Sequence, residues 1–122
     1  MKCCGVDLYE TENGLIGVLI SPCFGAGWST WNDRRLAFDK RIIEKFLKDP
    51  CIFGNELQLD KFLTENIDYY SRESYYLGGT RDGLRLEFVP KNTRFIIEEY
   101  DGSESIHIFN PDEWIIFGEE EE

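Results

Sequence analysis

Histidine is nearly missing from this chain. His107 is the only one among 122 residues, so any Ser–His or Cys–His catalytic pair would have to use it. In the alternating stretch Ser105–Phe109 it points away from Ile106 and Ile108, toward solvent. The four cysteines, Cys3, Cys4, Cys23 and Cys51, form no CxxC pair and lack companion histidines. They read as buried or half-buried free thiols rather than metal ligands. Leu15–Ile20, the longest apolar run, is far too short to span a bilayer. The opening MKCCGVDLYE acquires acidic residues before any apolar run develops, unlike a secretory signal. These absences give the expectation of a cytoplasmic protein without disulfides or cofactors. Basic residues are also scarce: 13 against 24 acidic ones, for a net charge of -11. Phosphate affinity comes mainly from Lys and Arg, so direct nucleic-acid binding is not expected. The acidity suits either simple solubility or a carboxylate surface offered to a basic protein partner.

What is present fits one domain over residues 1–118, followed by the acidic tail Glu119–Glu122. Lys2–Tyr9 and Leu15–Ser21 flank a turn signalled by Asn13-Gly14. The second arm is apolar nearly throughout, as a strand covered on both faces would be. A helix is expected from about Asp33 to Lys48, capped by Asn32, with Leu36, Phe38, Ile42, Ile43, Phe46 and Leu47 inward. Asp49-Pro50 stops it. A second helix, Glu56–Ile67, has Asn55 as its cap and Leu57, Leu59, Phe62, Leu63 and Ile67 as its inner face. After a turn-rich connection carrying Tyr69, Tyr70, Tyr75 and Tyr76, the period drops to two. Leu84–Phe88, Arg94–Tyr100 and Glu104–Phe109 read as a meander, with Asp101-Gly102-Ser103 as a turn and Trp114–Phe117 as a last short edge strand. The expected class is α+β: a mainly antiparallel β-sheet with two α-helices packed on one face.

The segment Gly25–Asn32, GAGWSTWN, sits between a strand and a helix, where phosphate-cradling loops occur. It lacks the Lys-Ser/Thr of a Walker loop and the third glycine of a dinucleotide fingerprint. Trp28 and Trp31 could stack on a base while free amides, Ser29 and Thr30 meet phosphate. The favoured alternative is that the two indoles seal one end of the core, with at least one of them belonging to it. A second cluster, Glu98, Glu99, Asp101 and Glu104, spans a hairpin turn. Alternation sends Glu98 and Glu99 to opposite faces, and the turn lacks the ligand count of a calcium loop. An acidic partner surface is the expectation there, with no catalytic and no metal residues.

The blocks ISPCFGAGWSTWN, LAFDK, YLGG and FVPKNTRFIIEEYDGSESI resemble a family of small, uncharacterised bacteriophage proteins. The similarity covers about residues 17–40 and 76–106, with Cys23 standing where glycine is expected. It implies an accessory phage protein acting in the bacterial cytoplasm, and carries no activity or site residues with it. Such proteins are expected to bind host machinery, including defence enzymes and nucleic-acid-binding proteins, or to sequester a signalling nucleotide. The expected function is therefore a non-enzymatic modulator or inhibitor of a host protein, in the manner of an anti-CRISPR. A nucleotide sponge built on GAGWSTWN is the alternative. The candidate contact residues are Trp28, Ser29, Thr30, Trp31, Asn32, Tyr76, Glu98, Tyr100, Asp101 and Glu104.

Overall fold

A computed structural model describes residues 2–80 and 83–109. Its elements run β1 (Lys2–Cys3), β2 (Val6–Asp7), β3 (Leu15–Ile20), α1 (Lys40–Lys48), α2 (Glu56–Asn66), β4 (Arg85–Pro90), β5 (Arg94–Tyr100) and β6 (Ser103–Phe109). The fold is α+β, as the change of period along the chain indicates. All three strand pairs are antiparallel. They stay separate: β1 with β2, β3 with β4, β5 with β6. The expected continuous meander is thus broken between β4 and β5, where Asn92 adopts φ 65°. The edge strand expected at Trp114–Phe117 and the tail Glu119–Glu122 lie outside the described residues.

Strand β3 occupies the middle of the molecule because both of its faces are apolar. Leu19 joins Trp28, Leu36, Ile42, Ile43, Phe53, Leu59 and Leu63 in the larger core beneath the helices. Ile16, Val18 and Ile20 face the other way, against Val89, Phe95, Ile97 and Ile106. The helices therefore cover one face of the β3–β4 ribbon and the β5–β6 hairpin covers the other. Gly17 lets the helix layer come close: a Cβ there would stand 3.3 Å from Tyr9 and 3.4 Å from Ile43.

The helical expectations need three corrections. The stretch 33–48 is not one helix. Arg34–Ala37 forms a 3-10 turn capped by Asp33, and α1 starts afresh after Asp39, whose carboxylate accepts from Arg41 N. Each aspartate caps the start of its own element, Asp33 the 3-10 turn and Asp39 the helix, so the stretch is divided in two. Asn32 caps neither. Leu47 and Leu57 were expected inward, but their side chains are exposed at the ends of the apolar faces. Asn55 does cap α2, accepting from Gln58 N at 3.1 Å.

At the N-terminus, Lys2–Tyr9 is not a single arm. β1 and β2 form a small hairpin, and the rest is tied down by isolated bridges, Leu8 to Asp39 and Glu10 to Ile16, and by Tyr9 packed on the core. The cysteines differ from expectation in their exposure: all four are free thiols, but they are exposed rather than buried or half-buried.

Candidate functional site

The segment Gly25–Asn32 leaves β3 after Pro22 and folds back over two other turns. Gly102, at φ 87° in the two-residue Asp101-Gly102 turn between β5 and β6, lies directly against the Ala26 backbone. On the other side a Cβ on Gly79 would fall 2.7 Å from the Gly27 carbonyl oxygen. Backbone meets backbone at both contacts, which requires residues without side chains. The three turns are further joined by bonds from Gly25 N to Asp101 O (2.6 Å), Glu104 N to Ser21 O (2.7 Å) and Ser103 Oγ to Pro22 O (2.7 Å).

At the centre of this junction is the Glu104 side chain, 2 % exposed. One carboxylate oxygen accepts from Ser21 N at 2.9 Å. The other accepts from Trp28 N and Thr30 N, both at 3.0 Å, and from Thr30 Oγ1 at 2.6 Å. The amides expected to meet an external phosphate are already aimed at an anion supplied by the protein itself. Such convergent N–H groups make an anion nest, and Glu104 fills it. Ser21 Oγ completes the arrangement, accepting from Trp28 N and donating to Gly102 O.

The two tryptophans separate in role. Trp28 is fully buried, donates from Nε1 to Leu36 O at 3.0 Å, and meets Phe53 edge to face. Trp31 is 44 % exposed and stacks on Tyr76 with ring centroids 6.3 Å apart. Asn32 holds that pair in place. Its amide donates to Trp28 O and Tyr76 O, and its Oδ1 accepts from Tyr76 N at 2.7 Å.

Of the ten candidate contact residues, the structure keeps six on the surface: Thr30, Trp31, Tyr76, Glu98, Tyr100 and Asp101. Trp28, Ser29 and Glu104 are buried and cannot meet a partner, because the loop closes around them. Asn32 is a clamp between two loops. Glu98 lies 3.6 Å from His107 Nδ1 on the outer face of the β5–β6 hairpin, and Glu99 turns back to accept from Gly102 N. His107 is exposed, as alternation indicates. No group of three or more His, Cys, Asp or Glu able to hold a metal occurs among the described residues.

Phe24 was missed by the sequence reading. It is 66 % exposed and packs edge to face on Tyr100, itself 77 % exposed. Its only signal was an aromatic inside the turn Pro22–Gly25. Phe24 and Tyr76 stand on the walls of a cleft of about 80 Å³ that Gly25, Gly78 and Gly79 help to line. The two exposed aromatic pairs, Phe24–Tyr100 and Trp31–Tyr76, thus border one glycine-lined cleft. Asp101 follows Tyr100 directly, and Glu98 stands two residues before it on the same strand.

Tyr69, Tyr70 and Tyr75 are half-buried and bonded to carboxylates. Tyr69 donates to Asp39 at 3.0 Å, Tyr70 to Asp60 at 2.7 Å and Tyr75 to Asp33 at 3.1 Å. Burial is the main cause raising all three phenols, with Tyr75 pushed up to about 12. The Arg35 fork holds the Asp33 carboxyl down at about 2.

Comparison with protein-family models, with curated proteins and with solved structures returns no match.

Proposed function

We propose that this protein is a non-enzymatic binding protein that docks on a host protein through the aromatic rim of its glycine-lined cleft and the carboxylates beside it. The observation that carries this reading is the exposure of Phe24, Trp31, Tyr76 and Tyr100 around a backbone junction that is tightly bonded from within. Trp and Tyr dominate the energetic centres of protein interfaces, because they bury large areas at little entropic cost. A rigid support adds to this, since little ordering remains to be done on binding. The net charge of -11 favours a basic partner, such as a nucleic-acid-binding or defence enzyme. The resemblance to phage proteins gives that partner a natural setting in the bacterial cytoplasm.

A nucleotide ligand is less well supported. The amides of Trp28 and Thr30 and the Thr30 hydroxyl are already taken by Glu104, and a phosphate would have to displace that carboxylate. Only Trp31 of the two indoles could offer a free face.

The test is retention of bacterial lysate proteins on the immobilised chain at low salt, with Trp31→Ala and Tyr100→Ala alongside. A specific protein should be retained by the wild type, released as salt rises, and lost from both variants while their melting temperatures stay close to wild type. Equal retention by all three, or none by the wild type, counts against the aromatic rim. A nucleotide panel read by Trp31 fluorescence should give a flat titration.

A further inference from the structure

The β1–β2 hairpin closes through only two residues, Cys4 and Gly5, since Cys3 pairs with Val6. Both have positive φ, 56° and 85°, which defines a type I′ turn. The first position of that turn favours Gly, which has no Cβ to crowd the following carbonyl, or Asn and Asp, whose short polar side chains bond locally. Cysteine has no local reason to occupy it. Its effect is to set Cys4 Sγ 3.4 Å from Cys3 Sγ, with both residues exposed.

We propose that Cys3 and Cys4 form a chelating dithiol for a single soft, thiophilic centre, with the trivalent arsenic of an organoarsenical as the best-fitting occupant. The alternative use of two close thiols is a disulfide, and geometry disfavours it. A disulfide ordinarily joins Cα atoms about 4.4–6.8 Å apart with sulfurs at about 2.05 Å. Adjacent residues in a trans chain hold their Cα atoms only about 3.8 Å apart. An atom placed between the sulfurs removes that strain. With bonds near the zinc–sulfur length of ~2.3 Å, a separation of 3.4 Å closes an angle of roughly 95° at the bound centre. That is tighter than a tetrahedral site prefers and suits a pyramidal centre carrying a lone pair.

The surroundings agree. Cys4 borders a basin of about 460 Å³ that Lys2, Lys40, Arg41 and Tyr69 also line, leaving room for an organic group on arsenic. No third His, Cys, Asp or Glu joins the pair among the described residues, which matches a two-thiolate site with its remaining valence taken by the ligand. Partial burial and the neighbouring Cys4 push the Cys3 thiol up. The reaction balances without an oxidant. An arsenoxide gives up its oxygen as water with the two thiol protons, two As–S bonds form, and arsenic stays trivalent.

The test treats the full chain, kept reduced with a phosphine, with phenylarsine oxide and reads intact mass. One phenylarsine group should add per chain, survive excess monothiol, and leave when a small dithiol is supplied. Cys3→Ser and Cys4→Ser should each abolish the monothiol-resistant adduct with unchanged melting temperatures. The double variant Cys23→Ser, Cys51→Ser should keep it. A wild-type chain without a resistant adduct overturns the proposal, as does an adduct that survives either single substitution. A chain that refuses the arsenical yet closes an internal disulfide under oxidised glutathione overturns it too.

Discussion

Two buried carboxylates hold this molecule together, and they do so in opposite ways. Asp39, 1 % exposed, is served by near neighbours: Arg41 N, the Arg41 guanidinium and, from farther along, the Tyr69 hydroxyl. Glu104 is served from across the chain, by Ser21, Trp28 and Thr30, which precede it by 83, 76 and 74 residues. Asp39 faces a cation and organises the start of one helix. Glu104 accepts from neutral amides and a hydroxyl, and it organises the meeting of β3, the glycine loop and the β5–β6 turn. A locally bonded carboxylate fixes an element; a distantly bonded one fixes how elements meet.

Removing each acid tests that difference. Glu104→Ala should have the largest effect, about 3–6 kcal/mol of stability, because each buried amide left without an acceptor costs about 1–3 kcal/mol. Chemical denaturation measures it, and a loss under about 1 kcal/mol would show that the loop holds itself. Trp28→Ala, which removes the indole under the same loop, should cost about 3–5 kcal/mol. Asp39→Ala should cost less, about 1–3 kcal/mol, chiefly the helix cap and the Tyr69 bond, since the partly exposed Arg41 can turn to water. A double-mutant cycle between Glu104→Ala and Asp39→Ala should be additive if the two centres are independent.

The pH dependence sharpens the contrast on the local side. Asp33 is depressed to about 2 in the fold, so its contribution is present above the ordinary carboxylate range and is lost as pH falls toward 2. The three acid-bonded phenols run the other way. They are raised on folding, so their contribution is complete below about pH 10 and is lost as pH rises through their folded values, near 12 for Tyr75. Ultraviolet titration should show Tyr69, Tyr70 and Tyr75 ionising above the ordinary phenol value of about 10, or only as the chain unfolds. Three early phenols would refute the placement of 69, 70 and 75. The smallest effect belongs to Trp31→Ala, under about 1 kcal/mol, because its indole covers surface rather than core.

The same contrast explains how much could be read from the sequence. The α2 boundaries, the doubly covered β3, the Asp101-Gly102 turn and the outward His107 all follow from short-range periodicity or turn chemistry, and each is found within a residue or so. The break in the first helix was legible too, in the repeated Asp-x-Arg of Asp33–Arg35 and Asp39–Arg41, where each acid bonds an amide and a guanidinium two residues on. A continuous apolar pattern through Leu36 and Phe38 concealed it. For the site, the loop was located and its donors were recognised, but their acceptor was not. Glu104 looked like one more carboxylate of an acidic hairpin, and nothing within its own neighbourhood marks it for burial. The split between Trp28 and Trp31 was equally hidden, since three residues in a loop carry no fixed periodicity.

Where Glu104 lies along the chain also sets an order of events during synthesis. The glycine loop leaves the ribosome long before its anion does, and at about 5–20 residues per second the wait lasts several seconds. Until β6 emerges, the amides of Ser21, Trp28 and Thr30 lack the carboxylate that joins them. Contacts of such long sequence separation form late and slowly. The nascent chain therefore presents its helices first, and the aromatic rim comes into being as one of the last acts of folding.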